Sequence, residues 1–212
     1  GAQVRQGVAV TGAQHDADGT HIELEGFGRV TPSFVIAADG MWSTVRRELG
    51  LTPENYRGEW HAFRQYGQGA TGIAKDELIV WFERDLLPGY AWSFPLGNGE
   101  VNLGFGMLRG EILAGKKMAN IWRDLLDRPH IREALGEGFT LVDRHTAWPI
   151  PARVGDMPLS AGSVMFTGDA AAATDVLTGE GIGQALLTGR LAAEAIIAGG
   201  TTSAVTASYE QA

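Results

Sequence analysis

The stretch from Val164 to Ala198 constrains this chain more than any other. Val164, Met165 and Phe166 form a short apolar run that stops at Gly168, the pattern of a buried strand. Asp169 follows just past the strand's carboxyl end, where open α/β sheets place their ligands. The residues from Ala170 to Thr174 are all small, and small side chains let a flat ligand approach the backbone. Asp175 and Thr178 can each cap a helix that begins near Thr178 to Gly181. Ile182, Ala185, Leu186, Gly189, Ala193 and Ile196 are apolar or small and recur at helical spacing. The amino end of such a helix carries unpaired amides and a partial positive charge. It can hold an anion or steady negative charge building up on a ring.

Bulk properties narrow the classes. The chain has 212 residues, enough for one large domain or two closely joined ones, and 44% of them are apolar. The formal charge of −8 argues against a nucleic-acid partner and against a strongly basic membrane-binding face. With no cysteine, disulfides, thiolate catalysis and cysteine-ligated metals are excluded. The five histidines, His15, His21, His61, His130 and His145, lack metal-ligand spacing, and no metal is expected. No G-x-S-x-G elbow supports a serine hydrolase. No signal peptide or spanning run is visible, and the cytosol is the default compartment. The 30 glycines, about double average usage, suit a fold of tight turns and close ligand approaches.

From its beginning the chain reads as a strand through Val8, Val10 and Ala13, a hairpin turn at Asp16-Ala17-Asp18-Gly19, and a partner strand from His21 to Glu25. Ser33 to Ala38 is a continuous apolar run that suits a buried strand. Asp39-Gly40 then makes a turn, Ser43 caps, and Val45 to Leu49 forms a short helix, with Asp39 and Arg46 available to pair locally. From Glu59 to Met107 the pattern is antiparallel sheet, with Gly97-Asn98-Gly99 as a hairpin signal. Helices are expected over Lys116 to Leu126 and His130 to Leu135, separated by Pro129, before an extended return from Phe139 to Ile150.

Three segments carry a family resemblance. Gly168-Asp169-Ala170-Ala171 with Leu177-Thr178-Gly179-Glu180-Gly181-Ile182 resembles the second flavin signature of FAD-dependent oxidoreductases of the aromatic-hydroxylase superfamily, most closely the geranylgeranyl reductase branch. Ala38-Asp39-Gly40-Met41-Trp42-Ser43-Thr44-Val45-Arg46 resembles the same superfamily's A-D-G-x-x-S-x-V-R signature, which implies a segment beside the cofactor with Asp39 and Ser43 or Arg46 as its polar contributors. Pro88-Gly89-Tyr90-Ala91-Trp92-Ser93-Phe94-Pro95 is similar to the reductase motif P-x-x-Y-x-W-x-F-P, with the first proline one residue closer to the tyrosine.

The resemblance implies an α/β (α+β) fold: the C-terminal part of a three-layer FAD-binding domain with an inserted antiparallel-sheet substrate domain. The expected boundaries are 1–51 and 151–212 for the FAD-binding part and 52–150 for the substrate domain. It implies FAD as cofactor, held by Asp39, Gly168, Asp169, Thr178, Gly179, Glu180, Gly181 and Ile182, with NAD(P)H or another reductant as electron donor. Asp169 would accept hydrogen bonds from the ribityl hydroxyls, and the helix tip would face the flavin and stabilise its anionic reduced form. Tyr90 and Trp92 would line a channel for an isoprenoid or other apolar small molecule, with Phe94 either joining them or filling the core. The activity implied is reduction of isoprenoid carbon–carbon double bonds. The proton would come from Tyr90 or an ordered water, and no catalytic residue is assigned. An apolar substrate of this kind leaves a peripheral membrane contact open.

Two alternatives stand beside this reading. Aromatic monooxygenases of the superfamily usually carry a histidine after the Gly-Asp-Ala-Ala run and an asparagine past the later glycines, where this chain has Ala172 and the region of Gln184. The other is an inactive fragment or a binding module without flavin. The G-x-G-x-x-G turn that opens such flavoproteins is not found in these residues. Val176 and Ala172 stand where the reductases usually carry proline and often carry glycine. The expectation is a fragment or one piece of a split flavoprotein that binds FAD weakly or not at all by itself.

Overall fold

The computed structural model describes residues 1–110 and 118–212. The chain divides into two units. One combines Gly1–Arg57 with Ile150–Ala212, and the other is the continuous segment Gly58–Pro149.

The first unit opens with a meander of β1 (Val10–Asp16), β2 (Gly19–Leu24) and β3 (Gly28–Val30), all antiparallel. The β1–β2 turn closes as the Asp-Ala-Asp-Gly sequence predicts, and the Asp16 carboxylate accepts from the Asp18 amide at 2.8 Å. β4 is only Val35–Ala37, shorter than the apolar run suggested, and Ile36 is 40% exposed. The run reads as fully buried because its side chains from Phe34 to Ala38 are apolar, but β4 lies at the end of its sheet. α1 (Thr44–Glu48) follows, with Ser43 accepting from the Arg46 amide at 3.0 Å as its cap.

The second unit is a six-stranded antiparallel sheet with two helices. Its strands are β5 (Trp60–Gln68), β6 (Ile79–Trp81), β7 (Tyr90–Gly97), β8 (Glu100–Leu108), β9 (Thr140–Leu141) and β10 (Thr146–Ile150). The order is β10-β5-β8-β7-β6, with β9 also on β5. α2 spans Met118–Asp127 and α3 spans Pro129–Leu135. Two helices part here as expected, and Pro129 opens α3, because the first helical position needs no amide donor. The expected start of the preceding helix at Lys116 lies outside the described residues.

Alternation along β7 sorts its side chains onto two faces. Ala91 and Ser93 are buried, and Ala91 joins Phe63, Leu103 and Phe105 in the core packed on Trp122, Leu125 and Leu135. Tyr90, Trp92 and Phe94 stand on the other face as a column, with successive ring centroids 6.0 Å apart. Phe94 is half-buried and lies outside that core, so it belongs with the column and does not fill the core.

The chain returns to the first unit through β11 (Ser160–Ala161) and β12 (Val164–Phe166). β12 is fully buried and runs parallel to β4 with Val164 opposite Val35. The sheet order is β11-β12-β4. β12 is therefore central, and the two-residue β11 hairpin covers its other side. α4 (Ile182–Ala198) and α5 (Thr202–Gln211) close the unit. α4 buries Ala192 and Ala195 against Met165, Val205 and Tyr209, while Ile182 and Leu186 are 79% and 72% exposed. The buried stripe runs through Ala192 and Ala195. Apolar periodicity marks two adjoining stripes on this helix, and only the one holding the smallest residues fits closely on β12.

Candidate functional site

The site is built at the end of β12. Gly168 to Ala171 form one turn of 3-10 helix, closed by the Ala172 amide on the Asp169 carbonyl at 3.0 Å. Gly168 has φ +55°, and a β-carbon there would lie 3.0 Å from that of Ala185 on α4, so conformation and space both demand glycine. Its amide donates to the Thr188 hydroxyl of α4 at 2.9 Å. Ala172 ends the turn in the left-handed region at φ 54°, ψ 37°. Glycine takes that geometry without the steric cost a β-carbon brings.

A cavity of about 570 Å³ opens in front of Asp169. Gly168, Asp169, Gly179, Gly181 and Ile182 all line it, together with Ala38, Gly40, Thr174, Ala185 and Leu186. Asp169 is half-buried, and burial raises its carboxyl pKa above the ordinary value, against a lowering influence from Thr174. The Thr174 hydroxyl donates to Oδ1 at 3.3 Å, which leaves the carboxylate further acceptor capacity toward the cavity. The walls are glycine backbone and the apolar side chains of Ile182, Ala185 and Leu186. One acceptor carboxylate against a smooth apolar wall fits a flat ring carrying a hydroxylated tail.

Three of the expected residues are engaged elsewhere. The Asp39 carboxylate accepts from the Val45 amide at 3.1 Å, so it caps α1, and the cavity takes Ala38 and Gly40 from that turn. The Thr178 hydroxyl donates to Asp175 Oδ1 at 2.7 Å. Glu180 Oε1 accepts from the Gly183 amide at 2.6 Å. These bonds correct the reading of the helix start. α4 begins at Ile182 behind Gly181, which makes no side-chain cap, and Asp175 fastens the preceding loop through the Leu177 and Thr178 amides. Short-range sequence signals could not separate a loop clamp from a helix cap, since the same side chains make both. The helix tip also carries a carboxylate of its own, which offsets part of its positive character.

Arg46 is the residue whose role the sequence concealed. It does not pair with Asp39 to fix a local turn. Nε donates to the Ala170 carbonyl at 2.7 Å, Nη2 donates to the Pro158 carbonyl at 2.9 Å, and the guanidinium lies 3.9 Å over the Phe166 ring. The side chain is 3% exposed, and burial pushes its pKa down while Tyr56, Asp39 and Tyr209 oppose that. Arg46 therefore ties α1 to the turn that presents Asp169. Tyr209 of α5 adds a second tie, its hydroxyl donating to the Phe166 carbonyl; burial raises that phenol's pKa to about 12. Neither bond has a local sequence signature, since the partners are more than a hundred residues apart for Arg46 and 43 apart for Tyr209.

Among the described residues no group of three or more acidic or histidine side chains could hold a metal ion. No helix among them is long and apolar enough to cross a membrane.

The family model described as "FAD binding domain" matches residues 1–205. The chain belongs to this family. A menaquinone reductase from Mycolicibacterium smegmatis is 34% identical over 95% of this chain and 50% of its own length. A digeranylgeranylglycerophospholipid reductase from Methanopyrus kandleri is 30% identical over 87% of the chain and 45% of its own. The chain thus spans about half the length of the curated relatives it matches. A solved geranylgeranyl bacteriochlorophyll reductase-like protein from Thermoplasma acidophilum superposes with a TM-score of 0.75 at 23% identity, over 96% of this chain and 52% of that one, and so shares the fold. The FAD-binding domain is accordingly the frame in which the Asp169 cavity is read.

Proposed function

We propose that this chain forms part of a flavin-dependent reductase of isoprenoid carbon–carbon double bonds, with the Asp169 cavity as its FAD site. The observation that carries the reading is the half-buried carboxylate, with a single side-chain donor among the described residues, lining a glycine-walled apolar cavity. When bound and reduced by NAD(P)H or another donor, FAD supplies a hydride for an alkene carbon. The chain's own residues bind and orient. Asp169 accepts from ribityl hydroxyls, with Gly168, Gly179 and Gly181 allowing close backbone approach and Ile182 giving an apolar contact. Asp39, Thr178 and Glu180 act one step back, fixing α1, the loop and the start of α4 around the cavity. Tyr90, Trp92 and Phe94 give a prenyl chain a wall of large apolar area. Tyr90 or an ordered water would supply the proton; burial raises the Tyr90 phenol pKa, which makes it a weaker acid than a free tyrosine and favours the water. The sequence relatives named as reductases of menaquinone and of a digeranylgeranyl lipid support this class of substrate. A membrane surface is the natural source of such a substrate.

The test is anaerobic turnover of a prenylated quinone or a geranylgeranyl lipid by the flavin-loaded protein with dithionite as reductant. Mass spectrometry is expected to find the product two hydrogens heavier in its side chain. A product hydroxylated on an aromatic ring in air, with the side chain intact, would replace this reading with a monooxygenase.

A further inference from the structure

Thr174 lies beyond the turn that presents Asp169, yet its side chain is committed to that carboxylate. The residue is 4% exposed and lines the Asp169 cavity. Its hydroxyl donates to Oδ1 at 3.3 Å, and among the described residues no other group donates to Asp169. The backbone on either side is tied down. Ala173 makes an antiparallel bridge with Ala152, and its amide donates to the Gly168 carbonyl at 3.1 Å. On the other side the Asp175 amide donates to the Glu180 carbonyl at 2.9 Å. A β-branched side chain on a backbone held at both ends has little freedom to turn away.

Glycine guards the same pair from α4. The helix starts behind Gly181, where a β-carbon would stand 3.3 Å from Thr174 Oγ1 and 3.7 Å from Asp169 Oδ1. A side chain there would crowd both oxygens. Among the described residues that line the cavity, Asp169 is the one titratable side chain. Charged and titratable groups on the surrounding elements turn to other partners. Asp39 takes the Val45 amide, Arg46 the Ala170 and Pro158 carbonyls, and Tyr209 the Phe166 carbonyl. Asp175 takes Thr178, and Glu180 the Gly183 amide. Thr174 is therefore the side chain through which the fold acts directly on the Asp169 carboxylate.

We propose that Thr174 is a positioning residue for the cofactor site: its hydroxyl holds one oxygen of Asp169 so that the other is the acceptor offered to the hydroxylated tail of the ligand. The inference rests on the reading of the Asp169 cavity as a flavin site. A carboxylate left to itself turns broadly about its last torsion, and the hydroxyl narrows that choice. It also favours the ionised form, in which both oxygens accept, and so works against the burial that raises the carboxyl pKa. Without the hydroxyl, burial acts unopposed and Asp169 takes up its proton at a higher pH.

Carboxyl-carbon NMR of the chain across pH, with the Asp169 signal assigned by its loss in Asp169→Asn, reads this pairing without any flavin. Thr174→Val keeps the shape and removes the donor; it is expected to move the Asp169 midpoint to higher pH, and Thr174→Ser to leave the midpoint near that of the unaltered chain. In FAD titrations Thr174→Val is expected to bind about three- to tenfold more weakly at pH 7, the worth of one hydrogen bond. The gap widens as pH falls, and Thr174→Ser restores the affinity. In the unaltered chain the Thr174 hydroxyl proton is expected to resist exchange and to shift with the Asp169 titration, which decides the matter even where valine impairs folding. A midpoint that stays put in Thr174→Val, a serine variant that behaves like valine, or a hydroxyl proton indifferent to the titration overturns the proposal. Equal FAD affinity in all three forms also overturns it and leaves the flavin reading standing. If no form binds FAD, the flavin reading falls and takes the positioning role with it.

Discussion

Asp169 sits in a conflict between folding and binding. Burial raises its pKa, so the native state holds the proton more tightly than the unfolded chain does. Stability then falls as pH rises from the ordinary carboxylate range through the raised value, and the ionised form burdens the ligand-free fold at neutral pH. Asp169→Asn is expected to raise the melting temperature of the flavin-free protein at pH 7, with little change in acid. The same substitution is expected to weaken FAD binding about ten- to hundredfold, the worth of a charge-assisted hydrogen bond. For the unaltered protein, flavin affinity should decline as pH falls and Asp169 takes up its proton, at a pH above that of an ordinary aspartate. Thermal melts and flavin titrations across pH check each of these. Arg46 makes the opposite case, a residue whose loss is structural. Arg46→Ala would leave the Ala170 and Pro158 carbonyls unpaired and a void over Phe166. A loss of about 3 kcal/mol in urea unfolding is expected.

At the scale of elements, legibility followed range. The β1–β2 hairpin, the Ser43 cap of α1 and the strand ending at Gly168-Asp169 all rest on residues within a few positions of one another, and pattern alone located them. The candidate site's glycines and Asp169 were legible for the same reason. What escaped was set by distant partners. α4 offers two apolar stripes, and only the fit of Ala192 and Ala195 against Met165 selects one. Thr188 and Thr174 look like ordinary helix and loop residues until Gly168 and Asp169 come to them. Arg46 looks like half of a local ion pair until Ala170 arrives from the far end of the chain. The six-stranded sheet yields its own prediction. Gly104→Ala drives a methyl group into the Trp92 ring and the Phe63 carbonyl, whereas Gly106→Ala meets open space. The first is expected to cost about 2 kcal/mol or more and the second less than about 0.5 kcal/mol, measured by chemical denaturation.

At the scale of the whole molecule, the two units differ in how the chain supplies them. Gly58–Pro149 is continuous, with its own core of Phe63, Phe105, Trp122 and Leu125, and the other unit is stitched from both ends of the chain. A segment that brings its own core is expected to fold alone. The excised 58–149 polypeptide should therefore unfold cooperatively by circular dichroism; a featureless melt would show that its core needs the rest of the chain.

The short strand at Val35–Ala37 has a consequence beyond its length. In a parallel ladder alternate residues bond to alternate sides. Val35 and Ala37 spend these peptide groups on the β12 side: the Val35 amide donates to the Ser163 carbonyl at 3.0 Å, and the Ala37 carbonyl accepts from the Thr167 amide at 3.0 Å. The peptide groups of Ile36 face outward, beneath a side chain that is itself well exposed. Among the described residues β4 thus ends its sheet with one rung of backbone on its outer side, the kind of edge to which a further strand can pair.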